Sequence, residues 1–286
     1  MMRGDPLWRA HGRTRPATRY RDRACGDRRT HDARPLPDGG TVDVKSDETP
    51  VTIADREAER YIREQLARRY PTHAVVGEEH GAQEGSAPFR WWIDPIDGTK
   101  AFVRGVPLYG TVLGLERDGE VVVGVASFPA LGETIAAAKG RGTRLNGRRS
   151  WVSTVANLAE AVVSTTDGGR FDELGRAARW RRVQRAAWVR AGWGDAYGYL
   201  LAASGRIEAM VDPIVHPWDV SAFPVIFAEA GGWFGSWSGD VTMRGGDALG
   251  VNAALRDTML ALLAEDGDAT DAQTTDAGPA PGRLEP

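Results

Sequence analysis

The sequence is short of cysteine and of long apolar runs. Cys25 is the only cysteine among 286 residues, which excludes an intrachain disulfide and a metal centre built from several thiolates. No stretch of about 18 apolar residues is present, which argues against a membrane-spanning helix. Residues 1–10 also lack the apolar region of a secretion signal. We therefore expect a cytoplasmic protein that does not bind membranes.

A strong charge of either sign is also missing. The formal net charge is −3, so the chain has no global basic field that would favour nucleic acid. None of the five histidines lies in a recognisable catalytic motif, which leaves a Ser-His-Asp hydrolase with little support. Hydrophobic residues make up 42% of the chain, enough to bury a substantial core as one large domain or two joined halves.

The two ends of the chain differ in composition from the rest. Residues 1–38 carry ten arginines, and their apolar residues follow neither a helical nor a strand period. We expect a disordered arginine-rich arm there; a mis-assigned start or an out-of-frame stretch explains the same composition. Residues 267–286 are rich in Asp, Thr, Ala, Gly and Pro and are expected to form a disordered tail.

Between these ends, residues 39–266 are predicted to fold, with a change of character near residue 155. In the first half we predict a helix and a hairpin-rich set of strands, at 55–70 and at 74–76, 91–93, 111–116, 120–127 and 134–138. In the second half helices at 171–180, 196–204, 220–230 (kinked at Pro224) and 254–264 alternate with strands at 162–165, 207–211, 233–237 and 248–251. An α+β half over 39–155 followed by an α/β half over 156–266 is the predicted fold class.

The strongest chemical signal is a pair of aspartates that flank a proline at the end of an apolar strand, in Asp94-Pro95-Ile96-Asp97-Gly98-Thr99. Proline prevents a simple continuation of the strand, so both carboxylates and the Ile96 carbonyl can face one point. These are hard oxygen ligands that suit magnesium better than zinc. Gly98 and Thr99 then open a predicted helix whose free N–H groups can hold a phosphate. An ordinary polar turn is the alternative for this motif on its own.

Three further acidic positions are weaker signals. Glu78 follows a short apolar strand and a glycine, but alone it reads as a solvated acidic loop. Asp219, after Trp218, starts a predicted helix and is also a good N-cap. Asp47 stands before Thr49-Pro50-Val51-Thr52, where a turn is the alternative.

Taken together, these motifs resemble those of the inositol monophosphatase superfamily over roughly residues 43–264. The resemblance implies a layered α-β-α-β-α sandwich, usually a homodimer, that hydrolyses phosphate monoesters with two to three Mg²⁺ ions. It implies that Glu78, Asp94 and the Ile96 carbonyl bind one ion, that Asp94, Asp97 and Asp219 bind a second, and that a third is held loosely near Glu78. It further implies that Thr99, paired with Asp47, orients and deprotonates the attacking water. Residues 39–266 would then be the phosphatase domain.

Within this superfamily, an acidic residue at Asp195 together with Asp212-Pro213 resembles the histidinol-phosphate phosphatase branch, which acts in histidine biosynthesis. Histidinol phosphate carries an ammonium group that Asp195 can pair with, and Trp193 or Tyr197 can stack on its ring. We expect Asp195, Asp212 and Arg190 to be substrate contacts; a helix cap at Asp195 and a surface role for Arg190 are the alternatives.

Other substrates and roles remain open. Inositol 1-phosphate and 3′-phosphoadenosine 5′-phosphate would use the same metals with a different pocket. A regulatory or binding module without activity would require a broken metal site, and all the expected ligands are present.

Overall fold

The computed structural model describes residues 43–44, 50–51 and 53–264 of the chain. The predicted arm, the predicted tail and Asp47 lie outside these residues. None of the described helices is long and apolar enough to cross a membrane.

An eight-stranded sheet forms the first half. Strands β1 (Asp43–Val44) and β2 (Pro50–Val51) pair separately, ahead of it. The large sheet contains β3 (Ala74–Gly77), β4 (Gly81–Gln83), β5 (Phe89–Asp97), β6 (Gly110–Arg117), β7 (Glu120–Phe128), β8 (Glu133–Ala138), β9 (Arg144–Leu145) and β10 (Arg148–Arg149). Its order is β10-β9-β8-β7-β6-β5-β3-β4, and only the β3–β5 pair is parallel among its described strands.

A five-stranded sheet forms the second half. It contains β11 (Val162–Ser164), β12 (Val189–Ala191), β13 (Ala209–Asp212), β14 (Gly232–Gly235) and β15 (Ala248–Asn252). Its order is β12-β11-β13-β15-β14, with β11 parallel to both of its neighbours and β15 antiparallel to both of its own. The predicted change near residue 155 falls between the two sheets.

The helices lie in three layers around the sheets. In chain order they are α1 (Ile53–Arg69), α2 (Thr99–Val103), α3 (Gly169–Glu173), α4 (Ala177–Ala186), α5 (Asp195–Ala203), α6 (Pro217–Val220), α7 (Phe223–Ala230) and α8 (Arg256–Leu263). Side chains of α1 share a core with one face of the large sheet. Helices α5 and α7 pack between the two sheets, and α3, α4 and α8 cover the far side of the small sheet.

Alternation along β5 explains this layering. Trp91 and Ile93 belong to the core beneath α1, whereas Trp92 belongs to the core shared with α5 and α7. Successive residues of a strand face opposite sides of the sheet, so an uninterrupted apolar strand must be covered on both faces. The layered α-β-α-β-α sandwich predicted from the sequence is confirmed.

Two of the predicted helices are each divided into separate helices in the structure. The helix expected over 171–180 is divided between α3 and α4, because Gly175 adopts a left-handed φ of 68° that ends the first helix. The helix expected over 220–230 is not kinked at Pro224. Instead a new helix, α7, begins at Phe223, so the proline occupies its first turn, where a missing N–H is tolerated. Strands β4, β9, β10 and β12 were not predicted.

Candidate active site

A bulge at the end of β5 brings its two aspartates to the same side. Asp94 pairs with Val112 and Asp97 with Gly110, so three steps on β5 oppose two on β6. In a regular strand residues three apart face opposite sides, and a bulge re-aims one of them. The Thr111 hydroxyl donates a hydrogen bond of 2.8 Å to the Pro95 carbonyl and fixes the bulged segment.

Glu78 and Asp219 approach this pair from two other elements. Glu78 comes directly after β3, and its N–H donates to the Ile93 carbonyl at 3.2 Å, which extends the β3–β5 pairing by one residue. Asp219 lies in α6, where its Oδ2 accepts the His216 N–H at 2.8 Å. The charges of both carboxylates contribute to raising the pKa of Asp94. The structure therefore brings together the four carboxylates that the sequence singled out.

Burial and mutual repulsion disfavour ionisation throughout this cluster. Burial, and then the neighbouring Asp97 and Glu78, raise the pKa of Asp94 well above its ordinary value. Burial followed by the charge of Asp195 does the same to the pKa of Asp97. Burial raises the pKa of Asp219 to about 7. Like charges confined in a buried space behave in this way unless a cation compensates them.

The donor set suits a hard divalent cation. Asp94 is only 2% exposed, and its Oδ1 is buried without a hydrogen-bond partner in the described part of the chain. A buried carboxylate oxygen without a partner is costly, and a cation would satisfy it and relieve the repulsion together. Carboxylate and carbonyl oxygens are the ligands that magnesium and calcium prefer.

The carboxylates are nevertheless not yet arranged as a ligand shell. Within residues 53–264, no three His, Cys, Asp or Glu side chains form a group that could hold an ion as they stand. Asp97 Oδ1 accepts the Ala196 N–H at 2.6 Å, and Asp219 Oδ2 accepts the His216 N–H at 2.8 Å. Each of these two hydrogen bonds uses one oxygen of its carboxylate, and ligation by Glu78, Asp94, Asp97 and Asp219 stays a prediction.

Gly98 and Thr99 form the turn beside the cluster. Gly98 has a left-handed φ of 78° and precedes α2, as the sequence predicted for this turn. The Thr99 hydroxyl lies 3.1 Å from the Ile96 carbonyl and 3.5 Å from Asp55 Oδ1. Asp47, the predicted partner of Thr99, is outside the described residues, so that pairing stays a prediction. Asp55, which is 1% exposed, was not among the predicted site residues.

Asp195 faces the Gly98 turn. A Cβ placed on Gly98 would lie 3.2 Å from Asp195 Oδ2, and the charge of Asp195 raises the pKa of Asp97. Asp195 has a φ of 52°, and its N–H donates to Thr166 Oγ1 at 2.8 Å. Gly194, not Asp195, is the residue before α5, and the first-turn N–H of Ala196 is accepted by Asp97 Oδ1 rather than by the side chain of Asp195. The capping alternative for Asp195 is therefore wrong.

The other two predicted substrate contacts lie elsewhere. Asp212 is 3% exposed, and its carboxylate accepts hydrogen bonds from Thr165 Oγ1, Thr166 N and Tyr199 Oη. Both of its oxygens are engaged in supporting the loop under Asp195, so Asp212 does not face a ligand in this structure.

Arg190 is likewise not brought to the cluster. It is exposed, and its guanidinium donates to the carbonyls of Ala187 and Trp188, just before β12. The surface alternative is the one that the structure favours.

Aromatic residues near Asp195 differ in their availability. Trp193 is 47% exposed, and its backbone is held by Ser164 Oγ through both its N–H and its carbonyl. Tyr197 is instead engaged with Glu133 and Arg206 through its hydroxyl and with Phe128 through its ring. Trp193 is therefore the aromatic side chain that is free to meet a ligand.

Three histidines near the predicted motifs make contacts with residues other than the four carboxylates. His73 stacks between Tyr70 and Phe89, and His80 Nε2 contacts the Arg56 carbonyl at 3.0 Å. His216 is exposed and stacks on Trp218.

Comparison with known proteins finds relatives named as phosphatases. The chain is 41% identical to a histidinol-phosphatase of Chlorobaculum parvum, over 77% of this chain and 85% of that protein. It is 38% identical to a histidinol-phosphatase of Mycobacterium tuberculosis, over 78% of this chain and 87% of that protein. A solved structure of an IMPase from Thermotoga maritima superposes with a TM-score of 0.71 at 31% identity, covering 78% of this chain and 87% of the other.

The family model described as the inositol monophosphatase family matches residues 23–269. This match spans both sheets and every described residue that contributes to the carboxylate cluster. The chain belongs to the inositol monophosphatase family.

Proposed function

We propose that this protein is a magnesium-dependent phosphate monoester hydrolase that acts on histidinol phosphate. The observation that carries the choice of substrate is the position of Asp195, whose carboxylate faces the Gly98 turn beside Asp97. An ester with a positively charged organic part would meet this carboxylate while its phosphate lies over the turn. The relatives named histidinol-phosphatase support the same choice.

The metal-binding residues in this proposal are Glu78, Asp94, the Ile96 carbonyl, Asp97 and Asp219, for two to three Mg²⁺ ions. When bound, the ions would activate water and neutralise charge on the phosphate and the leaving oxygen. The partnerless Asp94 oxygen and the raised pKa values of the cluster support this assignment.

Thr99 and the Gly98 turn would orient the reactants. The Thr99 hydroxyl sits between the Ile96 carbonyl and Asp55, where it can accept a hydrogen bond from the attacking water while a carboxylate, Asp47 or Asp55, accepts its own proton. The N–H groups at the start of α2 would hold phosphoryl oxygens. Because phosphoryl transfer depends mostly on positioning and charge stabilisation, no covalent nucleophile is required.

The organic part of the substrate would be recognised by Asp195 and Trp193. Histidinol phosphate carries an ammonium and an imidazole, whereas inositol 1-phosphate carries only hydroxyl groups. Asp195 would pair with the ammonium, and the exposed Trp193 ring would stack on the imidazole.

Inositol 1-phosphate and 3′-phosphoadenosine 5′-phosphate are the alternative substrates. The likeness to the Thermotoga maritima IMPase favours the first of them, since the two proteins share the fold and 31% identity. We also propose that the protein is a cytoplasmic homodimer, as the resemblance to the family implies.

A substrate panel tests the proposal. Histidinol phosphate, inositol 1-phosphate and 3′-phosphoadenosine 5′-phosphate would each be supplied with Mg²⁺ and with EDTA, and phosphate release would be measured. We expect hydrolysis only with Mg²⁺ and a clear preference for histidinol phosphate. A preference for inositol 1-phosphate would refute the substrate assignment, and full activity in EDTA would refute the metal requirement.

A further inference from the structure

A buried carboxylate on α1 lies directly against the turn that carries Glu78. Glu59 is completely buried, although the surrounding helix sequence, Arg56-Glu57-Ala58-Glu59-Arg60, is typical of a solvated surface. A charged side chain is rarely buried without partners that compensate its lost hydration, so its partners indicate what it does.

The partners of Glu59 are the backbone of that turn and one arginine. Glu59 Oε2 accepts the Glu79 N–H at 2.7 Å, and Oε1 accepts the His80 N–H at 3.3 Å. Arg63 donates from Nε to Glu59 Oε1 at 2.7 Å and from its terminal nitrogen to the Gly81 carbonyl. The carboxylate and the guanidinium thus hold the backbone at three successive residues after Glu78.

A second ion pair on the same helix shows that this arrangement is not a general property of its surface. Arg60 and Glu64 have the same spacing as Glu59 and Arg63, and their contact distance is 3.0 Å. Their side chains are 63% and 45% exposed, against 14% for Arg63 and 0% for Glu59. An exposed pair of this kind contributes little to stability, and it provides a matched control.

Gly77 makes the close approach possible. A Cβ on Gly77 would lie 2.0 Å from Glu59 Oε1, closer than any real side chain tolerates. Gly77, the residue before Glu78, therefore allows β3 to approach the buried carboxylate of Glu59. This close contact fixes the backbone position from which Glu78 extends. On the other side of this turn, the charge of Glu78 acts on Asp94 and Asp97.

We propose that Glu59, held by Arg63, is a positioning residue that fixes the backbone of residues 79–81 and thereby sets where Glu78 presents its carboxylate to the metal. This inference rests on the proposed function for the identity of the metal. Outer partners that orient a metal ligand typically change metal affinity by about 10–100-fold, and Glu59 acts in the same way through the backbone.

The test is a direct Mg²⁺ titration of the metal-free protein by calorimetry, without substrate. Glu59→Gln removes the charge, and Glu59→Asp keeps it but shortens its reach by one methylene. We expect both variants to bind Mg²⁺ about 10–100-fold more weakly, with kcat partly recovered at saturating Mg²⁺. Glu64→Gln should bind as the wild type does.

Amide exchange separates positioning from general destabilisation. The N–H groups of Glu79 and His80 should exchange faster in the Glu59 variants, while the amides of β6 and β7 keep their protection. Unchanged Mg²⁺ affinity in both variants would overturn the proposal, as would faster exchange spread evenly over the large sheet. If Glu59→Gln does not fold, Glu59→Asp and Arg63→Gln decide the question by the same two measurements.

The design also separates this inference from the proposed function. A wild-type protein that bound no Mg²⁺ and hydrolysed no ester would overturn both the proposed function and the link from Glu59 to the metal. A wild-type protein that did both, with variants that bound Mg²⁺ normally, would overturn the role of Glu59 alone.

Discussion

Replacing Asp94 by asparagine removes one negative charge from the interior of the carboxylate cluster while it preserves the size of the side chain. Asp94 is 2% exposed, one of its oxygens has no partner among the described residues, and its pKa is raised well above the ordinary value by burial and by Asp97 and Glu78. A carboxyl whose pKa is raised by folding stabilises the protein only while it is protonated. That contribution is complete below the unfolded pKa and is lost as the pH rises toward the folded pKa.

The metal-free wild type therefore carries a penalty at neutral and alkaline pH that Asp94→Asn does not. An amide at this position is still a buried polar group, but an ionised carboxylate costs more to bury without a partner, and we take the difference as about 1–3 kcal/mol. For a folded region of this size, each kcal/mol shifts the melting temperature by about 2–4 °C, so Asp94→Asn should melt about 2–12 °C higher in EDTA at pH 8. The gain should shrink as the pH falls toward about 4, where the wild-type carboxyl is also protonated in the unfolded chain.

With magnesium present, the wild type should melt at a higher temperature than Asp94→Asn, the reverse of the order in EDTA. The wild type gains stability from binding the ion in its folded state, whereas Asp94→Asn loses a central ligand and should gain little and show no turnover. Thermal unfolding in EDTA and in excess MgCl₂, together with phosphate release, measures all three effects, and the exposed Asp172→Asn is the control. The reasoning is refuted if Asp94→Asn is no more stable than the wild type in EDTA, or if it retains substantial activity.

The remaining predictions concern the neighbours of this residue. Asp195→Asn should lower kcat/KM for histidinol phosphate, with a loss of transition-state stabilisation of about 1.5–3 kcal/mol, the usual size of a hydrogen bond to a charged group. The value of kcat/KM for glycerol 2-phosphate should hardly change. Equal losses on both esters would make Asp195 structural. Because asparagine also tolerates a left-handed φ, the melting temperature of this variant should stay close to that of the wild type near pH 4, where the carboxyl of Asp195 carries little charge. Asp212→Asn should lower the free energy of unfolding by about 1–3 kcal/mol, since it disrupts a buried set of three hydrogen bonds, and chemical denaturation measures this. The same variant should raise KM for histidinol phosphate more than for glycerol 2-phosphate, as measured by initial rates. A change in kcat alone would contradict this prediction. Burial raises the pKa of Asp219 to about 7 and that of Asp195 to about 6, so both carboxyls stabilise the metal-free protein at low pH, and the melting temperature in EDTA should fall between pH 5 and pH 8. Excess Mg²⁺ should abolish or reverse this fall, and a metal-free melting temperature that rises over the same range would contradict the assignment.

The strands were predicted well where alternation and turn residues agree. The hairpin of β6 and β7 was expected because two apolar runs flank a short Asp-Gly turn. In the structure β6 is longer than predicted by one residue at each end, and β7 by one residue at its C-terminal end. Strand β12 was missed, because its three residues, Val189 to Ala191, are too few to show a period and none of them is buried. Its place is set by pairing with β11, a tertiary contact that no local pattern contains.

The candidate site shows the same division between local and tertiary information. Asp94 and Asp97 were identified from a local feature, a proline that interrupts an apolar strand. Glu59 was missed because its pairing with Arg63 has the same i,i+4 spacing of opposite charges as that of Arg60 with Glu64, and the sequence does not show which pair is buried. Only the approach of the residue 79–81 backbone distinguishes the buried pair from the exposed one.

Asp195 and Arg190 were assigned on the resemblance to a family branch, and local geometry separates them. The left-handed φ of Asp195 turns its carboxylate toward Gly98 and away from the cap position. Arg190 is the middle residue of β12, and its guanidinium donates to the carbonyls of Ala187 and Trp188, just before that strand. These contacts depend on the fold of the chain, which the order of residues alone does not contain.

The carboxylate cluster also bears on how the molecule unfolds. Glu78, Asp94 and Asp97 belong to the large sheet and its turns, whereas Asp219 belongs to α6, which lies in the chain between strands β13 and β14 of the small sheet. A cation shared among them would act as a removable cross-link between parts of the molecule that also meet through apolar packing, hydrogen bonds and ion pairs such as Arg206–Glu133 and Arg244–Glu116. The free energy of binding the ion would then stabilise the two halves of the molecule jointly. With the ion in place, the two sheets should unfold in one transition, and when the ion is removed the weaker half is free to open first.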